Sequence, residues 1–444
     1  MIGSEPCNSL KVPRMRWVAS VACVFAAVVA AHAFAQEPPA RAARLAYIEG
    51  AVSIQLTSDS TWTPASINTP LAAGYSVFTE PGARAEVRVS GTAIRLAEGT
   101  EIEISRLDDD NFRATVTSGT ANVHVRLMPR ERYVFATPQA ILVVDSEGTY
   151  RIDYDPVLDE SHFVVASGSA HMEGGVGNIV VKAGQSLRMG GGTDPSLDLE
   201  RAPDDDEFDH WARSRDAGWR DAAARRYVSP YMTGYEDLDA NGTWSSDPDY
   251  GPAWTPSSVA ATWSPYSDGH WIHVQPWGWT WVDNASWGYA PFHYGRWVFA
   301  NNRWSWCPGR RIDRPVYAPA VVGWTGSAAG PSATGWYPLA PWERFQPWYR
   351  ATPAHADRVN TIVRDQPPRD WHGPPDAWRN WNRDHASRTV AHDSFSRHDA
   401  IALPAPRKPA KADAPGYARE APPKAPPHPQ QQAPAHPPEK EKEK

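Results

Sequence analysis

Three histidines, His270, His273 and His293, are the first candidates for chemistry, because neutral imidazoles are common zinc ligands. Their spacing works against a shared ion. His270 and His273 stand three apart, which on a strand puts them on opposite faces, and His293 lies well down the chain. Asp247-Pro248-Asp249 could offer oxygens to calcium, but it lacks the glycine and later glutamate of a calcium loop and reads as a turn. Carboxylates are plentiful, with 51 Asp and Glu, yet sequence spacing places no pair at the roughly 5 Å that a retaining glycosidase needs. No Gly-x-Ser-x-Gly elbow, dinucleotide fingerprint or phosphate loop occurs. These observations assign no catalytic residue, metal ligand or cofactor.

The distinctive chemistry is aromatic. The chain carries 22 Trp, of which 15 fall within 235–348. A Gly-x-Trp unit recurs at Gly242-Thr243-Trp244, Gly269-His270-Trp271 and Gly295-Arg296-Trp297, with spacings of 27 and 26 residues. Pro265-Tyr266 and Pro291-Phe292 precede the last two copies. A period of this length implies supersecondary units that bury a common face by stacking. In the second copy Trp271 and His273 share one side of a strand, Gln275-Pro276-Trp277-Gly278 offers a type I turn, and Trp279 and Trp281 share a face on the return strand. The third copy repeats the plan with Trp297 and Phe299, a turn at Ala300-Asn301-Asn302, then Trp304 and Trp306.

Two readings of these rows follow. Either all serve as core, or one row faces a groove and stacks on sugar rings, peptides or polyproline, since Trp joins apolar area to an N–H donor. The candidate ligand-binding residues on the second reading are Tyr266, Trp271, Trp279, Trp281, Phe292, Trp297, Trp304 and Trp306.

The remaining segments must position this unit. Lys11, Arg14 and Arg16 precede an apolar stretch from Trp17 to Ala30, and Ala33-Phe34-Ala35 fits the small-x-small cleavage rule, so 1–35 reads as an export signal. No later stretch is long and apolar enough to predict a membrane span in the mature chain. Cys7 and Cys23 leave with the signal, so Cys307 cannot close an internal disulfide and reads as a packed thiol. The net charge of −7 argues against nucleic acid as a partner.

Residues 43–192 read as β. Gly50 to Leu56, Ala85 to Val89 and Glu101 to Ile104 alternate apolar and polar, which puts one face in a core and the other in water. Gly74, Gly82, Gly91, Gly99, Gly119, Gly148, Gly168 and Gly184 punctuate these runs. Within 200–232, Phe208, Trp211, Ala212 and Arg215 follow helical spacing behind an acidic first turn, which predicts a packing helix as connector. Residues 349–402 show no periodicity and predict low order. Residues 403–444 hold 12 Pro and end in alternating Glu and Lys, a composition that predicts a disordered, polyproline-rich tail.

Several of these pieces form a pattern: Gly50-Ala51-Val52, Gly82-Ala83-Arg84-Ala85-Glu86-Val87, Gly91 to Leu96, Gly119 to Val123, Thr137-Pro138, Gly148 to Ile152 and Gly168-Ser169-Ala170. In them the chain resembles the periplasmic domain of the FecR family over about a third of its length. The resemblance implies an antiparallel β sandwich or roll. The block from Tyr235-Glu236-Asp237-Leu238 to Gly335-Trp336-Tyr337-Pro338-Leu339 resembles a Trp-rich family of uncharacterised function that follows FecR-like domains in exported bacterial proteins.

The expectation is therefore a mainly β chain: a sandwich at 43–192, a helical connector at 200–232 and a hairpin unit at 235–348. Its expected role is a non-catalytic envelope protein, periplasmic or secreted, that binds or scaffolds an envelope protein or polysaccharide. A sensing component is the second reading. FecR-family proteins couple through a membrane span to a sigma factor, and here only 16 residues precede the apolar stretch. An envelope glycan hydrolase is the third.

Overall fold

A computed structural model describes residues 37–56, 61–173, 178–191, 196–220, 222–325, 333–361, 380 and 386–391. The signal read at 1–35 and the tail read at 403–444 lie outside the described residues. The chain is mainly β.

Two sheets make the first part. Sheet one runs β4 (Pro70–Leu71), β1 (Ala43–Glu49), β6 (Arg84–Val89), β7 (Thr92–Leu96), β9 (Asn111–Val125), β12 (Gly148–Asp155), β13 (Glu160–Ser167), β16 (Gln185–Gly190), β17 (Leu197–Arg201). Sheet two runs β3 (Thr63–Pro64), β2 (Val52–Leu56), β5 (Tyr75–Thr79), β8 (Glu101–Leu107), β9, β10 (Arg132–Ala136), β11 (Ile141–Val144), β14 (Ser169–Glu173), β15 (Ile179–Lys182). All pairings are antiparallel except β9 with β10.

The 15-residue strand β9 belongs to both sheets. Its first half pairs with β8 and β10, and its second half with β7 and β12. Gly119, which the sequence suggested as a boundary between strands, instead lies inside β9 where it passes from one sheet to the other. A side chain there would strike Thr100.

The alternation holds where it reads Glu101-Ile102-Glu103-Ile104: both Ile are buried, and the Glu lie between them on the outer face. In β6 it holds only for the apolar face. Glu86 and Arg88, expected in water, are buried, because helix α1 (Glu207–Arg220) and the segment around Glu236 cover them. α1 is the helix that the spacing of Phe208, Trp211 and Ala212 implied. Asp206 Oδ1 accepts the Asp209 amide at 2.9 Å, satisfying one of the free N–H groups of its first turn.

The Trp-rich segment forms four hairpins: β18 (Gly242–Asp247) with β19 (Gly251–Pro256), β20 (Gly269–Val274) with β21 (Gly278–Asp283), β22 (Arg296–Ala300) with β23 (Arg303–Cys307), and β24 (Val322–Thr325) with β25 (Ala333–Pro338). Each sets a Trp opposite a Trp: Trp244 with Trp254, Trp271 with Trp281, Trp297 with Trp306, and Trp324 with Trp336. The first hairpin joins the third through Trp254 and Trp306, bypassing the second. Asn301 and Asn302 form the third hairpin's turn with positive φ at both positions, as a two-residue turn of this hand requires. The second turn runs through Gln275, Pro276 and Trp277, and Gly278 follows it with positive φ.

A single hydrophobic cluster runs from Ala42 through Ile94, Val123 and Phe163 to Trp254, Trp281 and Trp336. The sandwich and the hairpins therefore share one core. Polar contacts reinforce the join. Asn68 Nδ2 donates to the carbonyls of Asp283 at 2.8 Å and Ala285 at 2.7 Å, and Arg44 Nη2 donates to the Ser286 carbonyl at 2.8 Å.

Part of 349–402 is ordered, against expectation. Helix α2 (Pro353–Val359) is capped by Thr352, whose side chain accepts the His355 amide, and Pro353 opens its first turn. β26 (Arg388–Ala391) pairs with β25. A Thr-Pro cap is a start signal that needs no long periodicity, and a helix this short shows none to accompany it.

Candidate functional site

The eight aromatic residues singled out as a binding face are all at most 5% exposed. Tyr266, Trp271, Trp279, Trp281, Phe292, Trp297, Trp304 and Trp306 are core, and the reading of an open stacking row is corrected accordingly. The second layer that buries both rows comes from the connections between hairpins. Tyr266 packs edge-on to Phe292 at 4.9 Å and Trp281 at 5.8 Å, while Trp287 packs edge-on to Trp254 at 5.1 Å. Trp271 sits among Trp281, Trp324 and Trp336 at 5.0–5.5 Å.

Burial explains the Gly-x-Trp spacing. The indole of the return strand lies flat across the glycine: a Cβ at Gly242 would stand 2.4 Å from Trp254, at Gly269 2.6 Å from Trp281, and at Gly295 2.4 Å from Trp306. The Trp281 indole N–H donates to Asp283 Oδ2 at 3.1 Å, and the other two reach backbone carbonyls. Trp254 donates to Leu238 O and Trp306 to Tyr294 O, each at 2.9 Å. Glycine and tryptophan are thus two halves of one packing unit.

His270 and His273 lie on β20, and His293 is fully buried in the helical turn Ala290–His293. No group of three His, Cys, Asp or Glu that could hold a metal ion occurs among the described residues. His293 lies between Tyr289 and Tyr317, with ring centroids 4.5 and 4.8 Å away. Its Nδ1 is 2.8 Å from the Ala318 carbonyl, so Nδ1 carries the proton and donates. Burial pushes its pKa down to about 3.

The unfolded chain therefore takes up a proton that the folded chain refuses. The stability present above about pH 6.5 drains away as pH falls toward 3, and by pH 5 about 2 kcal/mol is lost. His293→Asn keeps a donor toward Ala318 but cannot titrate. Its unfolding free energy, measured by urea titration at pH 7.5 and pH 5, should fall by about 2 kcal/mol less than that of the wild type.

Two sets of charges lie between sheet one and α1. In the first, Glu86 is wholly enclosed. Its carboxylate accepts from Arg88 at 2.6 Å, Arg95 at 2.9 Å and Arg215 at 2.8 Å. Burial alone would raise its pKa, but the three guanidinium groups outweigh that and hold it far below the usual carboxylate range. Arg88 also faces Glu236 at 3.3 Å, and Arg44 meets Asp237 at 2.5 Å, so the cluster ties β1 and β6 to the start of the hairpin segment.

The second set lines a groove of about 400 Å3 between α1 and strands β9, β12 and β13. The register sets Arg151 opposite Asn122 and Thr149 opposite His124, so both strands present polar side chains on one face. From α1, Asp209 accepts Asn122 Nδ2 at 2.9 Å and Arg151 Nη1 at 2.8 Å. Asp216 meets Arg95 at 2.5 Å and His124 at 3.2 Å. Burial would raise the Asp216 carboxyl, but His124 and Arg95 hold it below its usual value. Asp205 pairs with Arg213 at the rim. Sequence reading missed this site. The available signal was the polar phase of two alternating strands, and it gave no sign that a helix would cover that face.

The fold and the groove together define a β protein in which a two-sheet sandwich and a Trp-hairpin unit are joined into one body. Residues 235–343 match a family of unknown function (DUF6600). Two crystal structures of a "putative anti-sigma factor" from Parabacteroides distasonis ATCC 8503 are similar at 15% and 14% identity, each with a TM-score of 0.26. The similarity covers 28% of this chain and 59% of the other, so the chain spans less than two thirds of that protein's length. No curated protein matches.

Proposed function

We propose that the chain is a non-catalytic envelope protein, exported with cleavage after Ala35, that binds or scaffolds a glycan or a protein. The four hairpins are read as a degenerate repeat whose work is to stiffen the body. The observation that carries this reading is the joint itself. A shared core and an enclosed ion cluster make the sandwich and the hairpins one rigid platform, with a polar groove on its side. The groove's carboxylates, Asp205, Asp209 and Asp216, each face a cation, which supports binding over hydrolysis, since a general acid needs a carboxyl that holds its proton and a facing cation opposes that. No helix among the described residues is long and apolar enough to cross a membrane.

The test is affinity capture from envelope extract with the full chain, together with co-sedimentation with peptidoglycan and envelope polysaccharide. A specific partner or polymer is expected in the bound fraction, and nothing retained in either assay overturns the proposal. Terminal sequencing of the exported protein should begin at Gln36. A start upstream of the apolar stretch would overturn the export step.

A further inference from the structure

The groove beside α1 has a chemistry that specifies its ligand more narrowly, and the argument rests on the binding role proposed above. Asn122 is 4% exposed and lines the groove. Its Nδ2 must face the Asp209 carboxylate, an acceptor with no proton to give, so the orientation of the amide is settled and Oδ1 is the free end. That oxygen is buried without a hydrogen-bond partner among the described residues. A buried acceptor left unpaired costs about 1–3 kcal/mol, and a ligand donor would recover it. Nearby, Ser167 Oγ accepts the Thr149 amide at 3.0 Å, which leaves its own O–H to donate.

Each charged side chain lining the groove already meets an opposite charge, Asp205 with Arg213, Asp209 with Arg151 and Asp216 with Arg95. Arg151 is held by Asp209 at 2.8 Å and Asp153 at 2.9 Å, and Asp216 by Arg95 and His124. A charged ligand would have to break one of these pairs. A peptide adding as a strand has no edge to use, because β12 is paired on both sides by β9 and β13, and β13 by β12 and β16. What remains is a neutral molecule whose groups both donate and accept at short range.

We propose that this groove binds a neutral saccharide unit, with Asn122 Oδ1 accepting from a ring hydroxyl and Ser167 donating to another. The volume, about 400 Å3, lies within the range of small-ligand sites. Without a stacking indole in the groove, binding is weak and rests on hydrogen bonds.

The experiment is saturation-transfer NMR and calorimetric titration of the whole chain with maltose and with N,N′-diacetylchitobiose, using spermidine as a cationic control. At least one saccharide should bind in the millimolar range. Asn122→Ala should weaken it about tenfold, the fold-change of one lost hydrogen bond to a buried acceptor. Because Asn122 also holds Asp209, a second variant is needed. Ala166→Trp changes an exposed groove position and should abolish binding while leaving the melting temperature unchanged.

No binding of either saccharide, binding undiminished in A166W, or spermidine taking the groove instead each overturn the inference. Envelope capture that continues without saccharide binding removes this inference and leaves the scaffold role standing. Saccharide binding lost in A166W with no envelope capture supports the groove and removes the scaffold role.

Discussion

Glu86→Gln will unfold with roughly 3–5 kcal/mol less stability than the wild type at neutral pH, the range for removing one partner from a buried ion cluster. The substitution keeps the volume and removes the one charge that Arg88, Arg95 and Arg215 share, leaving Arg88 with Glu236 and Arg95 with Asp216. The buried guanidinium groups of Arg88 and Arg95 cannot neutralise as a buried lysine can, so the cost falls on the fold. The pH dependence has a definite sign. Glu86 has its carboxyl pKa depressed in the folded chain, so its contribution is complete above the unfolded value of about 4.5 and is lost as pH falls below that. Urea unfolding of both proteins at pH 7 and pH 3.5 should therefore show a large gap that narrows in acid. A gap below about 1 kcal/mol at pH 7 would mean that water reaches the cluster and carries the charge instead.

Gly295→Ala will cost at least about 3 kcal/mol, although it adds a single carbon. Gly295 has φ +65, and its Cβ would lie 2.4 Å from Trp306 Nε1 and 2.6 Å from the Cys307 carbonyl. To admit it, Trp306 must leave its bond to Tyr294 O, at the position where the first hairpin pairs with the third. Gly82→Ala is the matched control. Gly82 has φ +75 with nothing within 4 Å of the added carbon, so it isolates the backbone term, about 1 kcal/mol. Melting curves together with near-ultraviolet circular dichroism should show the aromatic signal altered in G295A and preserved in G82A. Equal losses in the two variants would mean that the indole moves aside freely.

The fold was readable in the sequence where a local pattern and a local outcome coincide. Trp297 to Trp306, with its Asn-Asn turn, folds as the spacing implies, and so does the helix marked by Phe208, Trp211 and Ala212. Other features depended on distant partners. Glu86 and Arg88 alternate like any exposed strand face, and only the return of α1 and Glu236 across them makes that face interior. The Trp rows posed the same problem: their spacing specified which indoles share a strand face, but not that Tyr266, which recurs one repeat later as Phe292, and Trp287, which has no such counterpart, would close over them. The groove was hidden for a related reason. Asn122, Arg151 and Asp209 come from three separated elements, and each alone resembles solvated surface.

The sharing of β9 between two sheets has a consequence for how the protein comes apart. A sandwich whose layers are joined only by loops can shed one layer and keep the other for a time. Here a single strand supplies ladder bonds to both, so peeling either sheet from β9 strips the support from its neighbour. The two layers are bound to a common fate, and partial opening has to begin at the outer margins, at β3 and β15 or β4 and β17, and travel inward.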